Sequence, residues 1–242
     1  MSQIAVKDAV IHSQQMDEGL LVTWQHPFTR TYYLMGLLRH GEDGGYSFSY
    51  FPGADEKPGF RAVPGFPDTD REYHTRVLFP FFSGRIMSAR RPDRPEWLAS
   101  MGLSEEAGPF EVLGRSFGQR VGDTFELYRQ PAIDLIEKTV TAEIPIHGLR
   151  YQTDGLDLLE TGGLSAGSSL RIQPEPTNDS DPRALAVHAA NETQLGYVPA
   201  PMLDYLERLD YLEAPAEAVA VHVNPRQIGH HQRIIISAVW HI

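Results

Sequence analysis

Arg150 and Tyr151 stand side by side at the end of an apolar stretch, Ile146-His147-Gly148-Leu149. Arginine offers a planar fork of donors that fits phosphate, and tyrosine a π-face on which a base can stack, so the pair suits nucleic acid. A second polar concentration is Glu175-Pro176-Thr177-Asn178-Asp179-Ser180-Asp181-Pro182. Its two prolines fix φ, and its Asn and Asp side chains can bond to backbone two residues on, so the turn holds one shape and presents carboxylates and an amide. On local chemistry alone it either serves a ligand or only closes a hairpin.

Other patterns are weaker. Gly114-Arg115-Ser116-Phe117-Gly118 fits the G-x-S-x-G nucleophile pattern, but that chemistry needs a buried strand before the serine, and here a helical stretch precedes it. His230-His231, with His222 and His241, resembles a nitrogen ligand set. Adjacent strand residues point to opposite faces, however, which favours surface histidines beside a turn at Gly229. Asp179-Ser180-Asp181 lacks the downstream glycine and glutamate of a calcium loop, so no metal and no cofactor is expected. Arg85, Arg90, Arg91 and Arg94 form one basic cluster, read either as a protein or nucleic-acid contact or as a solvated loop flanked by Asp93 and Glu96.

The chain has 242 residues, 41% of them hydrophobic, enough for two small cores. There is no cysteine, which removes disulfides and thiol chemistry. No apolar run approaches the ~20 residues that span a bilayer, and the first residues lack a signal-peptide pattern, so a cytoplasmic protein with no membrane contact is expected. Formal net charge is −11. Residues 139–242 hold six arginines, no lysine and thirteen carboxylates. A nucleic-acid contact there must rely on a few placed arginines and on stacking, because no broad basic surface is available.

The elements that must position these groups follow from periodicity. Residues 3–12, 20–24, 31–38 and 46–51 are rich in β-branched and aromatic residues and are separated by turn-formers, which predicts four strands. Residues 52–67 hold four prolines and three glycines, so they form a loop, and its recurring Phe60, Val63 and Phe66 predict packing on the sheet. Helical stretches are expected at 73–82, 96–101 and 109–114, and a returning strand at 121–128. Gln130-Pro131 interrupts the pattern. Strands are then expected at 140–150, 169–172, 184–188, 195–198, 219–223 and 233–240, with one helix at 201–212. The fold class is α+β, an N-terminal antiparallel sheet with short helices followed by a small β-barrel with one helix, divided into residues 1–138 and 139–242.

Taken together, His147-Gly148-Leu149-Arg150-Tyr151, Leu170-Arg171-Ile172, the turn running from Glu175 through Asn178 and Asp181 into Ala184-Leu185-Ala186-Val187, and Leu195-Gly196-Tyr197-Val198-Pro199 resemble the HIRAN domain over most of residues 143–242. The resemblance implies a small β-barrel that binds the 3′ end of single-stranded DNA. By position it implies a DNA-binding set of Arg150, Tyr151, Asn178, Asp181 and Tyr197. In that set Arg150 and Tyr151 contact terminal nucleotides, Asp181 receives the 3′-hydroxyl, and Asn178 braces the turn. Gln152 stands where the family commonly has a second aromatic, and Ser180 where its turn often has tyrosine.

The first domain is similar to the N-terminal subdomain of HipA toxin kinases. Leu78-Phe79-Pro80-Phe81-Phe82-Ser83-Gly84-Arg85-Ile86, Trp97-Leu98-Ala99-Ser100-Met101-Gly102-Leu103, Pro109-Phe110-Glu111-Val112-Leu113 and Gly122-Asp123-Thr124-Phe125-Glu126-Leu127 carry this similarity. No kinase core accompanies it, so no catalytic residue is assigned. The pair of resemblances implies a non-enzymatic bacterial adaptor in DNA repair, mobile-element or defence work. Its expected partners are a 3′ end of single-stranded DNA and a kinase, nuclease or multi-subunit nucleic-acid complex. The alternative is an antitoxin-like or complex-assembly subunit whose HIRAN barrel contacts protein.

Overall fold

In a computed structural model, residues 18–209, 217–226, 229 and 232–241 are described. The strand expected at 3–12, the His230-His231 pair and the last residues of the helix expected at 201–212 lie outside them. The chain divides into two compact units between Gln130 and Pro131. This division precedes residue 138, because the short strand Ala132–Asp134 pairs with Thr139–Pro145 and so belongs to the second unit.

The first unit is a five-stranded antiparallel sheet built from β1 (Glu18–Gln25), β2 (Tyr32–His40), β3 (Tyr46–Tyr50), β4 (Tyr73–Thr75) and β5 (Phe125–Arg129), in the order β4-β3-β2-β1-β5. Three short helices, α1 (Pro80–Ser83), α2 (Arg94–Ser100) and α3 (Pro109–Ser116), each carry a proline in the first turn, where no amide donor is needed. The helix expected over 73–82 is mostly absent. Aromatic and β-branched Tyr73 and Thr75 pair with Phe48 and Tyr46 as an edge strand, and Pro80 cannot continue a helix begun upstream of it.

The proline-rich loop packs on this sheet. Val63 and Phe66 are buried, and the Tyr50 hydroxyl accepts from the Val63 amide at 2.7 Å and donates to the Phe66 carbonyl at 2.7 Å. Burial pushes the Tyr50 phenol up to about 12, so it stays neutral and keeps its proton for Phe66.

The second unit is a seven-stranded antiparallel sheet. Its strands are β6 (Ala132–Asp134), β7 (Thr139–Pro145), β8 (Ser169–Pro174), β9 (Leu185–Ala189), β10 (Gln194–Tyr197), β11 (Glu217–Val223) and β12 (Ile234–His241), in the order β10-β9-β8-β11-β12-β7-β6. Register stacks Ile236 on Ile144, Ala238 on Ala142 and Trp240 on Val140, all buried. Full burial of each large apolar side chain stabilises the unit by about 1.5–3 kcal/mol. The expected single helix becomes two: α4 (Thr153–Glu160), which periodicity does not predict, and α5 (Ala200–Arg208), which buries Met202, Leu203, Tyr205 and Leu206.

Among the described residues the ladder does not form the closed barrel expected. Strand β10 meets the chain just after β7 at one isolated bridge, where the His147 amide donates to the Tyr197 carbonyl at 2.9 Å and the Tyr197 amide donates back to the His147 carbonyl at 2.8 Å. One bridge replaces a full ladder because the chain leaves strand geometry at Gly148, whose φ is +80°. On the other side Gly196 has φ +139°, and a Cβ there would lie 2.1 Å from the His147 carbonyl oxygen. Gly196→Ala is therefore expected to open the bridge and destabilise the second unit by about 2–4 kcal/mol, read from second-unit amide signals during urea unfolding. An unchanged midpoint would contradict this role of the bridge.

Candidate nucleic-acid interface

After the bridge, Gly148 turns the chain into a single 3-10 turn, Leu149–Tyr151, closed by the Tyr151 amide on the Gly148 carbonyl at 2.9 Å. Leu149 is buried and anchors it, so its neighbours Arg150 and Tyr151 project outward, with Tyr151 71% exposed. The Arg150 guanidinium lies 4.6 Å from the Tyr151 ring centre and donates to the Tyr151 hydroxyl. A cation over an exposed ring gains only about 0.5–1 kcal/mol, so a ligand can displace it at small cost.

The Glu175–Asp181 turn is held by Asn178. Its Oδ1 accepts from the amides of Ser180 at 3.0 Å and Asp181 at 3.2 Å, while its Nδ2 donates to Glu175 Oε2 at 2.8 Å. The backbone closes around it, with the Ala184 amide on the Asp181 carbonyl at 2.9 Å. The Asp181 carboxylate is not open. Its Oδ1 accepts from the Arg183 amide at 2.9 Å and from Arg183 Nε at 3.1 Å, and its Oδ2 accepts from Arg183 Nη2 at 3.0 Å. Arg183 Nη1 continues to Asp204 Oδ1 at 3.0 Å and Glu207 Oε2 at 2.7 Å, both on α5.

Tyr197 joins the two halves. Its ring lies along Gly148, where a Cβ would sit 3.3 Å from Tyr197 Cδ2, and its phenol acts on the Glu175 carboxyl. Burial and the Glu175 charge raise the Tyr197 phenol, so it stays protonated. Hydrogen bonds from Asn178 and Tyr197 lower the Glu175 carboxyl. Partial burial works to raise Asp181, but the hydrogen bonds from Arg183 outweigh it and hold Asp181 below its ordinary value. Both carboxyls are ionised at neutral pH. The bridge thus sets Tyr197 beside the start of the turn that carries Arg150 and Tyr151, while Asn178 and Asp181 lie in a separate turn organised by Glu175 and Arg183, whose roles sequence reasoning missed. The available signals were the Asp204–Glu207 spacing of three on a helix, which brings both carboxylates to one face, and a glutamate three residues before Asn178.

The remaining candidates lie elsewhere. Arg85 does not belong to an exposed basic cluster. Its side chain is 1% exposed, it donates to Asp123 at 2.6 Å and to the Gly118 carbonyl at 2.8 Å, and it lies 4.2 Å from the Phe81 ring centre. Burial lowers the Arg85 guanidinium, and Asp123 offsets this. Arg90 and Arg91 are exposed, with Arg91 forked onto Asp93 at 2.8 and 2.6 Å. Half-exposed Arg94 reaches the Met87 carbonyl at 3.4 Å. Ser116 is buried at the end of α3 with its hydroxyl on the Leu113 carbonyl. Among the described residues no group of three or more His, Asp or Glu is arranged to hold a metal, and no helix is long and apolar enough to cross a membrane.

Residues 140–209 match the family model of the HIRAN domain. That segment lies wholly in the second unit and contains every residue of the site. No curated protein matches the chain. Among solved structures, the crystal structure of a protein from Lactobacillus plantarum is 19% identical over 43% of this chain and 99% of that one, with a TM-score of 0.33. The crystal structure of the HIRAN domain of human HLTF is 20% identical over 42% of this chain and 72% of that one, with a TM-score of 0.27. The NMR structure of the HLTF HIRAN domain in its DNA-bound conformation is 22% identical over 43% and 75%, with a TM-score of 0.28.

The hydrogen bonds on Glu175 set a pH dependence. A depressed carboxyl stabilises the turn above its unfolded-state value, and that contribution is lost as pH falls through the depressed folded value. Tyr197→Phe is expected to move the Glu175 titration upward, toward the ordinary carboxylate value, in a side-chain carboxyl NMR titration. No movement would show that the Tyr197 hydroxyl does not hold Glu175.

Proposed function

We propose that the second unit captures the 3′-hydroxyl end of single-stranded DNA and that the chain acts as a non-enzymatic adaptor. The observation that supports this reading is the HIRAN family match over residues 140–209, within which the His147–Tyr197 bridge ties the start of the turn carrying Arg150 and Tyr151 to β10. The resemblance of Arg150, Tyr151 and the Asn178–Asp181 turn to that family's DNA-end site supports the same ligand class.

The chemistry follows from the groups present. Tyr151 offers its ring to the terminal base, a contact of about 1–3 kcal/mol. Arg150 leaves that ring to meet a backbone phosphate. Asp181 accepts the terminal hydroxyl in a charge-assisted hydrogen bond, while a terminal phosphate, with its own negative charge, is repelled. Neighbouring carboxylates penalise binding along the middle of a strand, and only an end supplies the donor that compensates. The first unit contributes a protein contact, in keeping with its resemblance to the HipA N-terminal subdomain. We place this adaptor in the bacterial cytoplasm, in DNA repair, mobile-element or defence work.

A second reading has its own support. Arg171, Arg183 and Arg233 are already committed to carboxylates, and residues 139–242 are acidic, which suits a second unit that binds protein in an antitoxin-like or assembly subunit. Recovery of a kinase or nuclease with the chain, without detectable DNA binding, selects that reading.

Single strands ending in a 3′-hydroxyl are expected to bind more tightly than the same strands ending in a 3′-phosphate, with Arg150→Ala weakening both. Because few cations meet phosphate, the logarithm of affinity should fall with the logarithm of salt at a slope of only about −1 to −2. Equal binding of the two ends in a fluorescence-anisotropy titration would refute end capture.

A further inference from the structure

Arg183 is the residue that organises Asp181, although it lies outside the set that sequence reasoning assigned to DNA. An ionised carboxylate has about four acceptor positions. Arg183 fills three of them on Asp181, two on Oδ1 through its amide and Nε and one on Oδ2 through Nη2. One position remains, on Oδ2. The same guanidinium reaches Asp204 and Glu207, so the turn is tied to α5, the helix that begins three residues after Tyr197. The side chains of Arg183 and Asp181 are 34% and 24% exposed, so the fork is partly sheltered while its edge remains open to solvent.

We propose that Arg183 is a positioning residue for end recognition: by occupying three acceptor positions of Asp181 and fixing it to α5, it leaves a single vacancy that admits one hydroxyl donor. This rests on the reading of the second unit as a 3′-end site. A single acceptor position suits a hydroxyl, which has one proton to give. An unforked Asp181 would rotate about its side chain and offer the vacancy in many directions, each at an entropic cost on binding. Three carboxylates also surround one cation, so Arg183 cannot double as a phosphate ligand without releasing them. Its effect is transmitted through Asp181.

Arg183→Lys separates this role from charge and from simple folding. Lysine keeps the cation but cannot make the planar two-pronged contact. Affinities would be measured for three otherwise identical strands, ending in a 3′-hydroxyl, a 3′-deoxy or a 3′-phosphate group, with thermal unfolding of each variant followed in parallel. The expected result is that the wild type prefers the hydroxyl end and that Arg183→Lys lowers the hydroxyl-over-deoxy ratio by about tenfold, while affinity for the deoxy end and its salt slope stay nearly unchanged. A combined Asp204→Ala and Glu207→Ala variant, which leaves the Asp181 fork in place and removes both acceptors on α5, should lower the same ratio by a smaller factor. If Arg183→Lys fails to fold, this second variant carries the test. A wild-type preference that survives in the folded variants overturns the role of Arg183 and leaves the end site standing. A wild type with no preference overturns the end site, and the role of Arg183 with it.

Discussion

Two hydrogen bonds between His147 and Tyr197 hold the second unit's arrangement together. The seven-stranded ladder is open, and this bridge, with α4 packed against both β10 and the 3-10 turn, joins the chain after β7 to the strand β10. With it, the 3-10 turn bearing Arg150 and Tyr151 starts beside the Tyr197 ring, and the Tyr197 phenol helps lower the Glu175 carboxyl in the other turn. Both flanking glycines are required by geometry. Gly148 turns the chain away from the strand, and Gly196 lets the two backbones approach more closely than any side chain permits.

The electrostatics of the site explain how an acidic surface can be compatible with a polyanion. Asp181 and Glu175 are ionised and held in place by local donors, so they stand as fixed acceptors. Such a surface does not attract phosphate in general. On the proposed reading it rewards a ligand that brings a hydrogen-bond donor to a defined point, which would separate a strand end from a strand interior. Arg183 belongs to this logic because a carboxylate surrounded by other carboxylates needs a counter-charge to stay ionised and oriented.

Much of the fold was legible in apolar runs and in alternation. The strands around Leu20-Leu21-Val22 and Ile234-Ile235-Ile236 are continuous buried apolar runs, and Tyr46-Ser47-Phe48-Ser49-Tyr50 follows a period of two. The turn chemistry of Asn178 was equally readable, because an amide followed by two backbone donors has few alternatives. Residues 73–82 misled because tertiary pairing on Phe48 and Tyr46 overrides local preference. Helix α4 was hidden by Gly155 in a short segment, and β6 by having only three residues. Arg85 looked like part of a surface cluster because proximity in sequence does not reveal that its partners, Gly118 and Asp123, return from far along the chain. Arg183 was missed for the same reason, since Asp204 and Glu207 arrive only when α5 docks.

The claim that one bridge makes two segments into one site is tested most directly by following backbone amide shifts while a short single strand with a 3′-hydroxyl is titrated into the whole protein. The signals of residues 148–151 and of residues 175–183 are expected to move together, with one midpoint. Two separate midpoints, or movement confined to one segment, would contradict the claim.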